Sequence, residues 1–383
     1  MRLLFWAEFF WPYIGGVEVL GMKLARALRE RGHELAVVTS HGDLELPDED
    51  AHAGLRIHRF RFLEALAARR LDLYAEARRR LVCLKQAFRP DLVHMNSVPP
   101  SALLHWQTRS YHPAPTLVAV HSPLPDQNVA AETLVGRTLR AAAWVTANSR
   151  AMLEDVRRLV PEISDRSSVI YNGLEMPELA PESLPFEAPM LLCAGRVVRD
   201  KGFDVAISAF ATVRRRFPKA RLVIAGDGPA RAELEQQAVE MGVREAVDFL
   251  GWVPPEKIPA LMNSATLALV PSRWREAFGL VALQAMQMAR PVVASDVGGL
   301  PEVVAHGETG LVVPKEDPEV VAQAVTRLLE NPSLAQEMGA AGRRRASLLF
   351  GFDRYFEEHE ILYRRLLKET RHDQFEQPLD AAL

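Results

Sequence analysis

The sequence predicts an α/β chain built as two doubly wound parallel-sheet domains, and three observations carry that prediction. Strand-length apolar runs alternate with helical patterns along nearly all of the 383 residues. That length exceeds one ordinary core and suits two. Residues 176–189 carry prolines at 177, 181, 185 and 189 and no apolar periodicity, so they read as a linker between domains at 1–175 and 190–350.

The elements follow in order. In the first half the strand candidates are Leu3–Trp6, Leu35–Thr39, Leu92–Met95, Leu117–Val120 and Trp144–Ala147, with Ser168–Tyr171 just before the break. Val17–Arg31 reads as a helix stopped by Gly32. In the second half, strands are expected at Met190–Ala194, Leu222–Ala225, Thr266–Val270 and Val292–Ser295. Helices are expected at Phe203–Phe217, Pro229–Met241, Leu280–Ala289 and Pro318–Glu330. A last helix within 351–370 precedes a polar tail, 371–383. This alternation puts helices on both faces of each sheet, the Rossmann-like arrangement in which ligands sit beyond the carboxyl ends of the strands. Two such domains are expected to face each other across a cleft.

Composition narrows the function. Hydrophobic residues make up 48% and charged residues 25%, which fits a globular chain. A net charge of −3 argues against nucleic acid as the partner. The two cysteines, Cys83 and Cys193, sit in apolar runs and imply no disulfide framework, as in a reducing cytoplasm. No apolar run reaches the roughly 18 residues of a spanning helix. Met1–Trp11 carries Glu8 and lacks a small-residue cleavage site, so it reads as a buried first strand rather than a signal peptide. From Arg56 to Arg89 there are ten basic and three acidic side chains, interleaved with Leu66, Leu73, Leu81 and Leu84. Two readings stay open there: a peripheral contact with anionic lipid at the inner membrane surface, or a solvated helix face over a buried stripe.

The most informative segment is Ser272–Met286, which joins a strand to a helix through a polar turn with Gly279. The helix after Gly279 offers unpaired backbone N–H groups and its positive dipole end, a setting for phosphate. Glu276 at the mouth of the turn can meet hydroxyl groups. A phosphate cradle beside such a carboxylate suits a nucleotide sugar. Gly195-Arg196-Val197-Val198-Arg199-Asp200-Lys201-Gly202 follows the first strand of the second half. Its Arg196 and Lys201 would stabilise charge developing on a diphosphate leaving group, although a solvated basic loop gives the same pattern. Gly15-Gly16 opens a helix after the first strand, and Gly226-Asp227-Gly228-Pro229 closes another strand. Neither forms the Gly-x-Gly-x-x-Gly fingerprint of dinucleotide enzymes. His121 ends the strand Leu117–Val120 at its carboxyl side. Asn172-Gly173 is explained by turn chemistry alone. Gly298 and Gly299 are candidates to approach the nucleotide, and Glu302 suits a helix N-terminus. Asp48-Glu49-Asp50 is formally Asp-x-Asp, but no strand is read before it, so it is taken as a solvated acidic loop. No His/Cys cluster has zinc spacing, and no metal is expected.

Taken in order, these motifs give the chain a resemblance to glycosyltransferase family 4, the retaining nucleotide-sugar enzymes of GT-B architecture. The family signature places two glutamates eight positions apart around a Phe-Gly-Leu core; here they are Glu276 and, as a departure, Gln284. The resemblance implies a UDP- or GDP-sugar donor, no cofactor, and an acceptor that is a glycan, a lipid or a small molecule. It implies His121, Arg196, Lys201 and Glu276 as catalytic residues. It implies donor contacts at Gly15, Gly16, Gly195, Gly226, Phe278, Gly279, Leu280, Val281 and Gln284. It also implies a last helix that crosses back onto the first domain. Gln284 offers one carbonyl acceptor and one amide donor where the family's carboxylate accepts from ribose hydroxyls. A nucleotide-sugar-binding protein without turnover, and a nucleotide-sugar epimerase on the same scaffold, stay open as alternatives.

Overall fold

The structure is a computed structural model that describes residues 1–124 and 133–376. It divides into two compact units, one of Met1–Ile170 with the stretch from Asp353, the other of Tyr171–Phe352.

The first unit is built on an eight-stranded sheet: β1 (Arg2–Trp6), β2 (Glu34–Ser40), β3 (Glu49–His52), β4 (Leu55–Phe60), β5 (Leu92–Met95), β6 (Thr116–Val120), β7 (Trp144–Ala147) and β8 (Ser167–Val169). Their order is β3-β4-β2-β1-β5-β6-β7-β8, parallel throughout except for β3, which runs antiparallel to β4. Leu3 to Trp6 are all fully buried, which is why β1 reads as an unbroken apolar run: both faces of a parallel sheet are covered. The helix Gly16–Glu30 presents Leu20, Leu24 and Leu28 on one buried stripe, four residues apart. The last helix, Phe352–Glu376, brings Tyr363 Oη to 2.5 Å from His94 Nδ1 and Glu360 Oε1 to 3.0 Å from His33 Nε2.

The second unit holds a six-stranded sheet, β9 (Met190–Ala194), β10 (Arg221–Ala225), β11 (Val247–Gly251), β12 (Leu267–Val270), β13 (Val292–Ser295) and β14 (Gly310–Val313). All are parallel, in the order β11-β10-β9-β12-β13-β14. Alternate residues feed two cores. Leu191, Cys193, Leu222 and Ile224 face one, and Leu192, Ala194, Val223 and Ala225 face the other.

Several details differ from the sequence reading. The stretch 176–189 is tied along the second unit. Asn263 Nδ2 donates to Ala180 O at 3.0 Å, Thr266 Oγ1 donates to Pro185 O at 2.9 Å, and the buried Arg290 donates to Glu182 O. Prolines remove N–H donors but leave carbonyls, and buried donors from the unit satisfy these. Asp48 and Glu49 are exposed, as read, but the segment is not a loop. Glu49 and Asp50 open edge strand β3, and the three carboxylates pair with Arg80, His58 and Arg59 respectively. The basic run 56–89 folds as β4 and two helices, Phe62–Ala67 and Leu71–Phe88. Its Arg59 and Lys85 are buried, and Arg61, Arg70 and Arg80 form ion pairs with Glu64, Asp72 and Asp48, so it is not one continuous basic face. Cys83 is exposed, in contrast to its apolar setting in sequence, while Cys193 is buried; both are free. The last helix runs on to Glu376, and residues 377–383 of the expected tail lie outside the described residues. Among the described residues no helix is long and apolar enough to cross a membrane.

Three imidazoles, His94, His121 and His359, are held neutral in the first unit, chiefly by burial; His121 and His359 are pulled down to about 4. Each has a folded pKa below its unfolded one, so its stabilising contribution is complete above the unfolded value and is lost as pH falls toward 4. Between pH 7.5 and 5, His359 alone should cost the fold about 2 kcal/mol. Urea denaturation at the two pH values should show this loss, and His359→Phe should flatten the dependence by that share.

Candidate active site

The second unit gathers most of the expected residues at the carboxyl edge of its sheet. β9 ends at Ala194, and Gly195 turns the chain with φ 132°. The loop then runs through exposed Arg196 to a single helical turn, Arg199–Lys201. It is stapled to the loop after β10: Val197 N donates to Asp227 O at 2.9 Å, and Ala230 N to Val197 O at 3.1 Å. Gly226 is required there, because a Cβ on it would lie 1.8 Å from Gly195 O. Gly195 and Gly226 thus come together in the structure.

The loop after β12 closes on the same edge. Arg273 N donates to Asp200 O at 2.9 Å, which brings the 271–279 segment against the Arg196–Lys201 loop. Lys201 Nζ lies 2.7 Å from Glu276 Oε2, and Ser272 Oγ donates to the same oxygen at 3.1 Å. Lys201 and Glu276 are partly buried, with side chains 28% and 20% exposed, so their attraction is less screened than on an open surface. Both contacts fall on Oε2, which leaves Oε1 its full acceptor capacity. The side chain of Arg196 makes no ion pair among the described residues. Glu276 is fixed from behind as well: Gly299 N donates to its carbonyl at 2.8 Å, and a Cβ on Gly298 would fall 2.1 Å from that oxygen. Gly298 and Gly299, read as groups approaching the nucleotide, therefore brace the Glu276 turn.

Gly279 caps the helix Leu280–Gln287 with φ 110°. The first backbone N–H groups of that helix, at Leu280 and Val281, have no partner within it. The ring of Phe278 is buried against Phe350, with centroids 5.5 Å apart, so only its backbone can meet a ligand. Gln284 is half-buried one turn further on. Glu302 does not serve its helix N-terminus alone; its Oε2 accepts from Tyr171 Oη at 2.9 Å.

In the first unit, His121 follows β6 and its Nε2 lies 3.2 Å from Asn96 Oδ1, while its buried Nδ1 has no hydrogen-bond partner among the described residues. Asn96 directly follows β5, and its amide lies 3.5 Å from Val17 O in the helix that Gly15 caps. The room beside Gly15 is filled by a carboxylate, since a Cβ there would lie 2.2 Å from Glu18 Oε2. Sequence reasoning missed Ser272 and Asn96. Both are polar residues just past the end of an apolar strand, and that position was the available signal. Among the described residues no group of His, Cys, Asp and Glu could hold a metal ion.

The profile described as Glycosyltransferase Family 4 matches residues 14–176, and that described as Glycosyl transferases group 1 matches residues 178–345. The alpha-maltose-1-phosphate synthase of Mycolicibacterium smegmatis is 34% identical over 288 residues, covering 66% of this chain and 73% of that enzyme. Of the alpha-D-kanosaminyltransferase of Streptomyces kanamyceticus, 36% identical over 201 residues, the match spans 52%. Among solved structures, a sucrose-phosphate synthase from Thermosynechococcus elongatus superposes with TM-score 0.81 and 25% identity, covering 96% of this chain and 99% of that one. Anabaena HepE in complex with UDP-glucose shares the fold with TM-score 0.76 and 21% identity, covering 97% and 100%. The chain belongs to the nucleotide-sugar-dependent glycosyltransferases of family 4 and group 1, with their two Rossmann-like domains of GT-B type.

Proposed function

We propose that this chain is a retaining, metal-independent transferase that moves a sugar from a UDP- or GDP-linked donor to an acceptor hydroxyl on a glycan, lipid or small molecule. The observation that carries this reading is the Lys201–Glu276–Ser272 cluster in the same loop layer as Arg196, which makes no ion pair among the described residues, and the N-terminus of the helix Leu280–Gln287. Arg196 and Lys201 supply two positive charges for a diphosphate, and the helix N–H groups at Leu280 and Val281 supply donors. These interactions strengthen as the bond between the sugar and the diphosphate breaks and charge builds on the leaving oxygen, so they lower the barrier rather than only tightening binding. Glu276 is already oriented by two partners and accepts from donor-sugar hydroxyls through Oε1. The acceptor oxygen attacks the anomeric carbon from the leaving-group side, and its proton passes to the departing phosphate oxygen. That route needs no second carboxylate of the retaining glycosidase kind.

His121 enters as a neutral group. Burial pulls its pKa down to about 4, so near pH 7 it offers hydrogen bonds to substrate, not a cation. Gln284 is read as the ribose contact, with a neutral bond in place of the charged one.

Arg196→Ala and Lys201→Ala should each lower kcat/KM by about 10²–10³-fold, the usual loss when one transition-state charge stabiliser is removed. Release of nucleoside diphosphate, followed with EDTA present, measures this; an unaffected variant would displace that residue from the donor site. Transfer to an acceptor in the same assay separates the transferase from a binding protein or an epimerase. Gln284→Glu should tighten donor binding about fivefold, the difference of roughly 1 kcal/mol between neutral and charged hydrogen bonds. Calorimetric titration that finds equal affinities would remove Gln284 from the ribose.

A further inference from the structure

Gly21 stands in the middle of the helix Gly16–Glu30, with right-handed helical backbone. Glycine weakens a helix interior, and this backbone does not require it. Its neighbour does. A Cβ on Gly21 would lie 2.7 Å from Asn96 Nδ2 and 3.4 Å from Asn96 Cγ, so the Asn96 amide occupies the room that Gly21 leaves on the helix face. The backbone of Asn96 is fixed as well, because its N donates to Trp6 O at 2.7 Å. Asn96 is only 2% exposed, so both ends of its amide need partners inside the protein.

Those partners set the direction of the amide. Val17 O can only accept, and Nδ2 lies 3.5 Å from it, so the NH₂ end faces the helix. Oδ1 then faces His121 Nε2 at 3.2 Å. An amide oxygen can only accept, so Nε2 carries a proton. Burial keeps this imidazole neutral near pH 7, and a neutral ring has a single N–H. Nδ1 is left with its lone pair. The opposite tautomer would put an N–H at Nδ1, which is buried and has no hydrogen-bond partner among the described residues. A buried N–H without a partner is rarer in folded proteins than a buried acceptor without one. Both arguments give the same tautomer.

We infer that Asn96 is a positioning residue: lodged against Gly21, it takes the Nε2–H of His121 and fixes the tautomer whose Nδ1 can accept a hydrogen bond but cannot donate one. The group that His121 suits is therefore a substrate hydroxyl, not a phosphate or carbonyl oxygen, which needs a donor. The diphosphate is left to Arg196, Lys201 and the helix N–H groups. This rests on the transferase reading above and narrows the part of His121 within it.

The test is NMR on the full chain with nitrogen-labelled histidine, using His121→Gln to identify the His121 signals. Wild type should show an unprotonated Nδ1 and a protonated Nε2 from pH 7.5 down to pH 5. Asn96→Asp should keep that tautomer but raise the protonation of His121 from about 4 to about 6, because a carboxylate against Nε2 favours the imidazolium. The other titratable groups acting on this ring are His94 of β5 and His359 of the last helix, both held neutral by burial. In nucleoside diphosphate release, Asn96→Leu should lower kcat about tenfold or more with donor KM little changed. Asn96→Asp should restore most of that kcat at pH 8 and lose it as pH falls through about 6, a limb absent from wild type. Gly21→Ala should disturb the His121 signals and add little to the loss in Asn96→Leu. A protonated Nδ1 in wild type, or a His121 titration that Asn96→Asp leaves in place, overturns the inference. So does equal kcat in wild type and Asn96→Leu. The expected tautomer in a wild type that releases no nucleoside diphosphate from any UDP- or GDP-sugar sinks the transferase reading instead.

Discussion

The carboxyl edge of the second sheet depends on backbone meeting backbone at distances that admit no side chain. A Cβ on Gly226 would sit 1.8 Å from Gly195 O, and one on Gly298 would sit 2.1 Å from Glu276 O. These two contacts join four loops in pairs, those after β9 and β10 and those after β12 and β13, and Arg273 N, donating to Asp200 O at 2.9 Å, ties the pairs into one layer. Any larger residue forces the loops apart, and interiors packed at near-crystalline density do not absorb such a shift locally. The Lys201–Glu276 distance of 2.7 Å is a consequence of that layer, since the two residues come from loops 75 positions apart. The charge arrangement of the site is thus set by where the backbone is allowed to go.

A second distinction runs through the cations of the chain. Some are structural and answered from within. Arg59 is buried and bound by Asp50 Oδ2 at 2.9 Å and by Trp11 O at 2.7 Å. Arg290 is buried among carbonyls of Ala265, Met288 and Glu182, and burial draws its pKa down to about 10. Lys85 is buried against His105 with no ion-pair partner among the described residues, and the lost hydration draws it down to about 7. Arg196 differs from all three in being exposed, just past a strand's carboxyl end.

Much of this was legible in the chain because it is local. Apolar runs of four or five residues gave β1, β5, β6, β7, β9, β10, β12 and β13, and the four-residue stripe in 16–30 gave its helix. The strands that escaped notice are β3, β4, β11 and β14. Three of them lie at sheet edges. An edge strand keeps one side open and mixes polar with apolar residues, as in β11, where Val247 and Gly251 are buried but Leu250 is exposed. β4 hides for another reason: its Arg56, His58 and Arg59 look like surface charge, although Arg59 is buried on a partner supplied by β3.

The sequence by itself determined the class of each element, the cations and carboxylates available, and the order of the glycine turns. These follow from side-chain periodicity and backbone freedom, which act over a few residues. Only the tertiary structure decided which charges are spent and which are free. It paired Ser272 with Glu276, tied the proline-rich stretch to Asn263, Thr266 and Arg290, and buried the ring of Phe278. It also set the Asn96 amide between Val17 O and His121 Nε2. Electrostatic and hydrogen-bond energies depend on distance in space and on exclusion of water, and neither quantity is written in the spacing of residues along a chain.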